Sequence, residues 1–269
     1  MFFRTATLTA WILSVAFADG AVLPDPVDVL NRAIERARKQ ADDPGATVYL
    51  FDKRTTIDTL DPKGKVTKQK VKLFEVTMTG GVPIERLVAL EGKKLSKTAI
   101  AKEEEKSSRW RRGFARSEGE SKRQSFIPAD MSGKYDLAFV RVENIGNRRA
   151  WVLSFAPKTP ALAAKTFADR IVNRLSGLIW IDAQDSEIAR ISVKLDKKVN
   201  LWAGLLGALY KFDFKLDRKR SSEGVWYNDF ADIRFDARGL LKRLRMKIVE
   251  QSSNFRPVLK PAPESARQP

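Results

Sequence analysis

Few residue types in this 269-residue chain can do chemistry. It has no histidine and no cysteine. Zinc sites built on those ligands are therefore excluded. So are Ser-His-Asp and Cys-His nucleophilic catalysis, and no disulfide can form. Carboxylates, lysine, tyrosine, serine and threonine remain. Two acid groups stand close in sequence: Glu103-Glu104-Glu105, and Asp182 with Asp185. Glycoside hydrolysis needs two carboxylates set across a sugar cleft. The first group reads as part of a charged, solvated helix and the second as a hairpin turn. Neither placement predicts a shifted pKa, so the chain reads as a protein that is not an enzyme and needs no cofactor or metal.

The other constellations concern binding. Trp180, Trp202, Trp226, Leu205, Leu206 and Leu209 are candidates for an apolar cavity. Such a pocket suits an acyl chain, since each buried CH₂ contributes about 0.8 kcal/mol. Trp202, Leu205, Leu206, Leu209 and Trp226 are the residues we assign to ligand binding, against the alternative of ordinary core packing. Residues 201–210 (LWAGLLGALY) mix large and small apolar side chains around Gly204 and Gly207. They read either as an apolar flap or as a buried, bent strand. Arg109, Arg111, Arg112 and Arg116 flank Trp110 and Phe114. That mixture suits a membrane or partner surface: a phospholipid headgroup layer or equally a nucleic-acid backbone, and a solvated charged face is the plainer alternative.

The elements that must position these residues follow from patterning. Arg4, an apolar run at 5–18 and Ala16-Phe17-Ala18 read as a secretory signal cut before Asp19, against an uncleaved anchor. The expected localisation is the periplasm or outer envelope of a bacterium. The formal net charge is +17. Outside the cytoplasm that favours an anionic membrane surface or polysaccharide over nucleic acid as partner, against the alternative of charge that serves solubility alone. Pro26, with Asp25 and Asp28 beside it, opens a helix carrying Val27, Leu30, Ile34, Ala37 and Ala41 on one stripe. Strands follow at 46–59, 66–78 and 84–90, with a turn at Asp61-Pro62-Lys63-Gly64 and a phase change near residue 73 that predicts a bulge.

Residues 93–124 read as a charged helical insertion, capped at Ser96. Strands return at 137–143 and 151–155, then a helix at 161–176 carrying Phe167, Ile171 and Leu175. Further strands are expected at 178–181, 191–195, 212–216, 225–235 and 240–248, before a disordered Pro-rich tail at 257–269. Hairpin-length connections require antiparallel neighbours. The fold class is therefore mainly β (α+β): one large curved antiparallel sheet of about ten or eleven strands, with two or three helices covering its concave face. Residues 1–18 are the signal, and 19–256 form one β domain, with a monomer expected.

One hairpin carries a family likeness. Gly177-Leu178-Ile179-Trp180-Ile181-Asp182, a turn, and Glu187-Ile188-Ala189-Arg190-Ile191 resemble a hairpin that recurs in outer-membrane lipoprotein-sorting proteins of the LolA/LolB type. Val225-Trp226-Tyr227-Asn228-Asp229-Phe230 is similar to a later strand of that family, from which Asn228 and Asp229 depart. The resemblance implies an unclosed β-barrel with helices lidding an apolar cavity. It implies binding of acyl chains, lipid or lipoprotein without catalysis, as a carrier or chaperone. The charged insertion lies outside the family's pattern. The alternative is a structural or protein-interaction module of the envelope with a filled core.

Overall fold

A computed structural model of the chain describes residues 23–41, 47–79, 82–102, 105, 131–159, 163–164, 167–201, 207–239 and 242–258. Residues 1–18, expected to be a secretory signal, the cluster from Arg109 to Arg116, Trp202, Leu205 and Leu206 lie outside these residues.

The chain opens with helix α1 (Pro26–Ala41). Asp25 caps it: its Oδ1 accepts the backbone N–H of Val27 at 2.8 Å and of Asp28 at 3.1 Å. The buried stripe differs from the expected one. Val29, Leu30 and Ala33 are deepest, with Ile34 packed beside them, while Ala37 is exposed. The pattern i, i+1, i+4 still defines one helical face; Val29 and Ala33 shift its centre.

The strands are β1 (Val48–Leu60), β2 (Val66–Thr79), β3 (Val82–Leu90), β4 (Lys93–Lys94), β5 (Tyr135–Ile145), β6 (Arg148–Pro157), β7 (Leu175–Asp182), β8 (Ile188–Leu195), β9 (Val199–Leu201), β10 (Gly207–Arg220), β11 (Trp226–Gly239) and β12 (Arg243–Pro257). They form one twelve-stranded antiparallel sheet, ordered β4-β3-β2-β1-β12-β11-β10-β8-β7-β6-β5, with β9 pairing on β10. The sheet is unclosed: β1 joins β12 and the two ends do not meet. Two short helices, α2 (Met131–Lys134) and α3 (Phe167–Val172), precede β5 and β7.

Local chemistry explains the turns. Asp61 Oδ1 accepts the backbone N–H groups of Lys63 and Lys65, and Gly64 takes φ 84°. The bulge expected near residue 73 is present, as a register shift between Leu73 and Phe74 against β3. Ser96 Oγ accepts the Ala99 N–H at 3.3 Å, and residues 97–102 are helical.

Two expectations are corrected. Among the described residues of the helix foreseen at 161–176, Phe167–Val172 is helical and 163–164 are not. Leu175 instead opens β7 and pairs with Leu195, so ladder formation overrides a weak helical stripe. The last strand runs nine residues past 248, to Pro257, where its pairing with β1 closes on Tyr49. Polar residues Gln251 to Asn254 hid that extension from an alternation argument.

The main core lies between α1 and the half of the sheet built from β5 to β10. Val29, Leu30 and Ala33 meet Leu153, Phe155, Ile179, Ile191 and Leu216 there. Burying each large side chain contributes ~1.5–3 kcal/mol. One ionic pin holds the helix down. Glu187, only 4% exposed, accepts from Arg36 of α1 at 3.0 Å and from Arg218 of β10 at 2.9 Å. We expect Glu187→Gln to cost about 1–3 kcal/mol in urea unfolding, since it weakens two charge-assisted bonds. A cost near zero would show that the helix is held by packing alone.

Gly177 marks a close approach. A Cβ there would lie 2.0 Å from the Ser192 carbonyl oxygen and 2.9 Å from the Phe155 ring. Gly177→Ala should therefore destabilise by about 1–3 kcal/mol through overpacking, measurable by the same unfolding curve. An unchanged midpoint would contradict this packing.

Candidate functional site

Residues paired in an antiparallel ladder project to the same side. The registers therefore trace rows across the sheet. One row runs Leu137, Phe155, Gly177, Val193, Phe214, Ile233, Ile248, Ile57 and Lys70. A second runs Phe212, Phe235, Met246, Thr59 and Lys68. A third runs Ile191, Leu216, Ala231, Glu250, Thr55 and Lys72. Leu153, Phe155 and Ile179 on this side share one buried cluster with Val29, Leu30 and Ala33 of α1, so these rows form the inner face.

The inner face changes character across the sheet. From β5 to β8 it is core beneath α1. From β10 to β1 the apolar side chains of the first two rows remain half-buried, among them Phe212, Ile233, Phe235, Met246, Ile248 and Ile57, while Leu216 and Ala231 of the third row are buried. Leu209 continues this strip, level with Ala237 and Leu244. At β2 the rows end in exposed Lys68 and Lys70. The third row turns polar sooner. Lys53 on the same face lies 2.5 Å from Glu85 and 3.4 Å from Glu250, and stands over the Phe74 ring. A separate aromatic cluster, Tyr49, Phe51, Tyr227 and Phe255, fills one end, with Tyr227 and Phe255 stacked at 4.0 Å.

The outer face is ionic. Trp180 Nε1–H donates to Glu143 at 3.1 Å, Arg190 lies over the Trp180 ring, and Arg190 also pairs with Asp217. At the β7–β8 turn, Arg148 donates to both oxygens of Asp182 at 2.6 Å. Asp182 Oδ1 also accepts the N–H groups of Gln184 and Asp185. Asp185 accepts from Arg220 and from the Trp226 indole N–H at 2.9 Å. Trp226 is buried there with Arg148 over its ring.

The structure thus brings Leu209 to the inner strip and places Trp226 at the ionic turn. The hairpin motif residues Trp180, Asp182 and Glu187 are bonded within the fold. The strip of Phe212, Ile233, Phe235, Met246 and Ile248 went unassigned as a site in the sequence. Its signal was present in the alternation of β10 and β12, but nothing there said which apolar faces α1 would leave half-covered.

The turn acids correct one expectation. Burial pushes the Asp182 and Asp185 carboxyls up, but the Arg148, Arg220, Trp226 and backbone hydrogen bonds outweigh it and hold both below the ordinary range. Hydrogen bonds from Trp180 and Arg141 lower Glu143, and those from Arg243 lower Asp236. Such carboxylates are fixed charges, poorly suited to donate a proton. Among the described residues no acidic cluster could hold a metal ion.

The sign of the pH dependence follows. Each folded pKa lies below its unfolded value, so the stabilisation is complete above the ordinary values of 3.8 and 4.5 and is lost as pH falls through the folded values. At the other extreme, burial lifts Tyr135, which donates to the Val172 carbonyl, to about 12. That contribution is lost as pH rises from 10.0 towards 12. Without histidine, the melting temperature should stay flat from about pH 6 to 8 and fall below about pH 4.5. A thermal-melt series with a step near neutral pH would contradict this arrangement.

No protein-family model matches the sequence, and no curated protein matches it. Solved structures do. The chain is similar to an outer membrane lipoprotein-sorting protein domain from Vibrio parahaemolyticus, at 14% identity and TM-score 0.34, over 90% of this chain and 97% of that one. It is similar to a LolA superfamily protein from Nitrosomonas europaea, at 12% identity and TM-score 0.29, over 90% and 97% of the two chains. It is also similar to the Pseudomonas aeruginosa MucA/MucB complex structure, at 12% identity and TM-score 0.30, over 88% and 100%. Lipoprotein-sorting and LolA superfamily proteins, which the hairpin motif resembles, are thus among the solved structures to which the chain is similar.

Proposed function

We propose that this chain is a non-catalytic envelope protein that holds the apolar part of an anionic amphiphile along the inner face of its sheet. The ligand class is an acyl chain, a lipid or the lipid anchor of a lipoprotein, and the role is that of a carrier or chaperone. One observation carries this reading: the half-buried strip from Leu209 and Phe212 through Phe235, Ile233 and Ile248 to Ile57 leads to exposed Lys68 and Lys70. An acyl chain needs contiguous apolar surface, and its headgroup needs a cation at one end. Lys68 and Lys70 have no ion-pair partner among the described residues, so their charge is available. Trp202, Leu205 and Leu206, next to Leu209 in sequence, belong to the proposed ligand set. Export to the periplasm or outer envelope is part of the same reading, supported by the leader pattern at 1–18. Among the described residues, no helix is long and apolar enough to cross a membrane.

A second reading, a protein-interaction module, is favoured by one edge. β3 pairs outward with β4 only at Ala89 and Leu90, and Ile84 on β3 is 66% exposed. Such an edge can accept a strand from a partner.

Titration with a fluorescent fatty acid separates the two. We expect saturable binding, weakened at least about tenfold by Phe235→Asp, because a charge then interrupts apolar surface. Lys68→Glu with Lys70→Glu should weaken the acid but not its methyl ester. Circular dichroism checks that each variant folds. No saturable binding by the unaltered protein would leave the interaction module as the better reading.

A further inference from the structure

The strand directions gather particular turns at each end of the sheet. The β1–β2 turn, the β3–β4 turn, the β8–β9 connection and the β11–β12 turn all lie at one end. The β5–β6, β7–β8 and β10–β11 turns lie at the other.

The two ends differ in charge. The first exposes Lys63 and Lys65, then Lys93 and Lys94. Farther along it exposes Lys197 and Lys242. None of these six has an ion-pair partner among the described residues. The acids at this end are engaged. Asp61 accepts two backbone N–H groups, Asp196 accepts from Ser176 Oγ–H and faces Lys194, and Asp236 is clamped by Arg243 and Arg245. Glu91 is exposed in the β3–β4 turn and Asp136 near the start of β5. At the opposite end basic groups are largely neutralised: Arg148 by Asp182, Arg218 by Glu187, Arg220 by Asp185 and Lys219 by Asp229.

The basic end also exposes apolar side chains. Val66 is 45% exposed at the start of β2 and Leu244 is 38% exposed at the start of β12. The turns span six steps of the strand order from β3 to β8, at ~4.8 Å per step. An extended rim of unpaired lysines with apolar side chains between them matches an anionic bilayer surface. The charges meet phosphate headgroups and the apolar groups enter the interface.

We propose that this end of the sheet, carrying the β1–β2, β3–β4 and β11–β12 turns and the β8–β9 connection, docks on an anionic membrane. The inference deepens the carrier reading by naming the surface that meets the bilayer, and it does not require the inner strip to be occupied. Docking there sets the strands upright on the membrane, with Leu209 and Leu244 of the strip next to the lipid.

Vesicle co-sedimentation tests it, using phosphatidylcholine vesicles with and without phosphatidylglycerol. We expect binding only when phosphatidylglycerol is present, weakened by added salt. Lys63→Glu with Lys197→Glu should lower partitioning at least about tenfold. Arg149→Glu with Arg256→Glu changes the net charge equally at the opposite end and should leave most of the binding intact. Equal losses in the two double variants would reduce the effect to overall charge and overturn the assignment. So would absence of binding to anionic vesicles, or tighter binding to a DNA duplex than to those vesicles. Vesicle binding without fatty-acid uptake would retain this surface and reject the inner-strip ligand.

Discussion

A twelve-stranded sheet with one apolar face cannot stand in water uncovered, and this chain supplies too little described helix to hide all of it. That shortfall organises the molecule. α1 covers the inner face over β5 to β8, and the cover is locked by Glu187, which ties Arg36 of the helix to Arg218 of the sheet. Beyond β10 the first two rows continue with comparable apolar residues but only partial burial as far as Ile57. Packing density explains the first half. The second half is what makes a binding reading physically reasonable, because half-buried contiguous apolar surface is costly unless something uses it.

The outer face shows the converse solution. Its aromatic residues are covered by charge rather than by helix. Trp180 lies under Arg190 and donates to Glu143, and Trp226 lies under Arg148 and donates to Asp185. Guanidinium groups suit this role because they stack on rings and bind carboxylates at once. The outer face can thus stay in water while still excluding it from two indoles. Acids held in this way stay charged and are poorly suited to donate a proton.

Much of the sheet was legible because strict alternation reports one wet and one dry face. Ile191, Val193, Phe212, Phe214 and Leu216 fall on the inner side as their spacing requires. The Asp61 turn and the bulge at residue 73 were legible for local reasons, in backbone conformation and in phase. The failures have physical causes. Leu175 carried a helical stripe that strand pairing overrode. The polar end of β12 gave no alternation, although its backbone pairs with β1 as far as Tyr49. The expected helix stripe shares Leu30 and Ile34 with the observed core but lacks Val29 and Ala33, which are among its most buried residues. For the site, the sequence drew the eye to tryptophans. Trp180 and Trp226 are used to brace turns and outer-face ion pairs, whereas the half-covered strip is made of Phe, Ile and Met that look like any other core. Only the limit of the α1 cover distinguishes them, and that is a tertiary fact.

Where a bound chain lies can be read directly by photo-crosslinking. A fatty acid carrying a diazirine in its chain would be equilibrated with the protein, irradiated, and its adducts located by peptide mass spectrometry. The account predicts adducts concentrated on β10, β11 and β12, at Phe212, Ile233, Phe235, Met246 and Ile248. Adducts confined to the outer face around Val152 and Trp180, or to the β3 edge at Ile84, would contradict it.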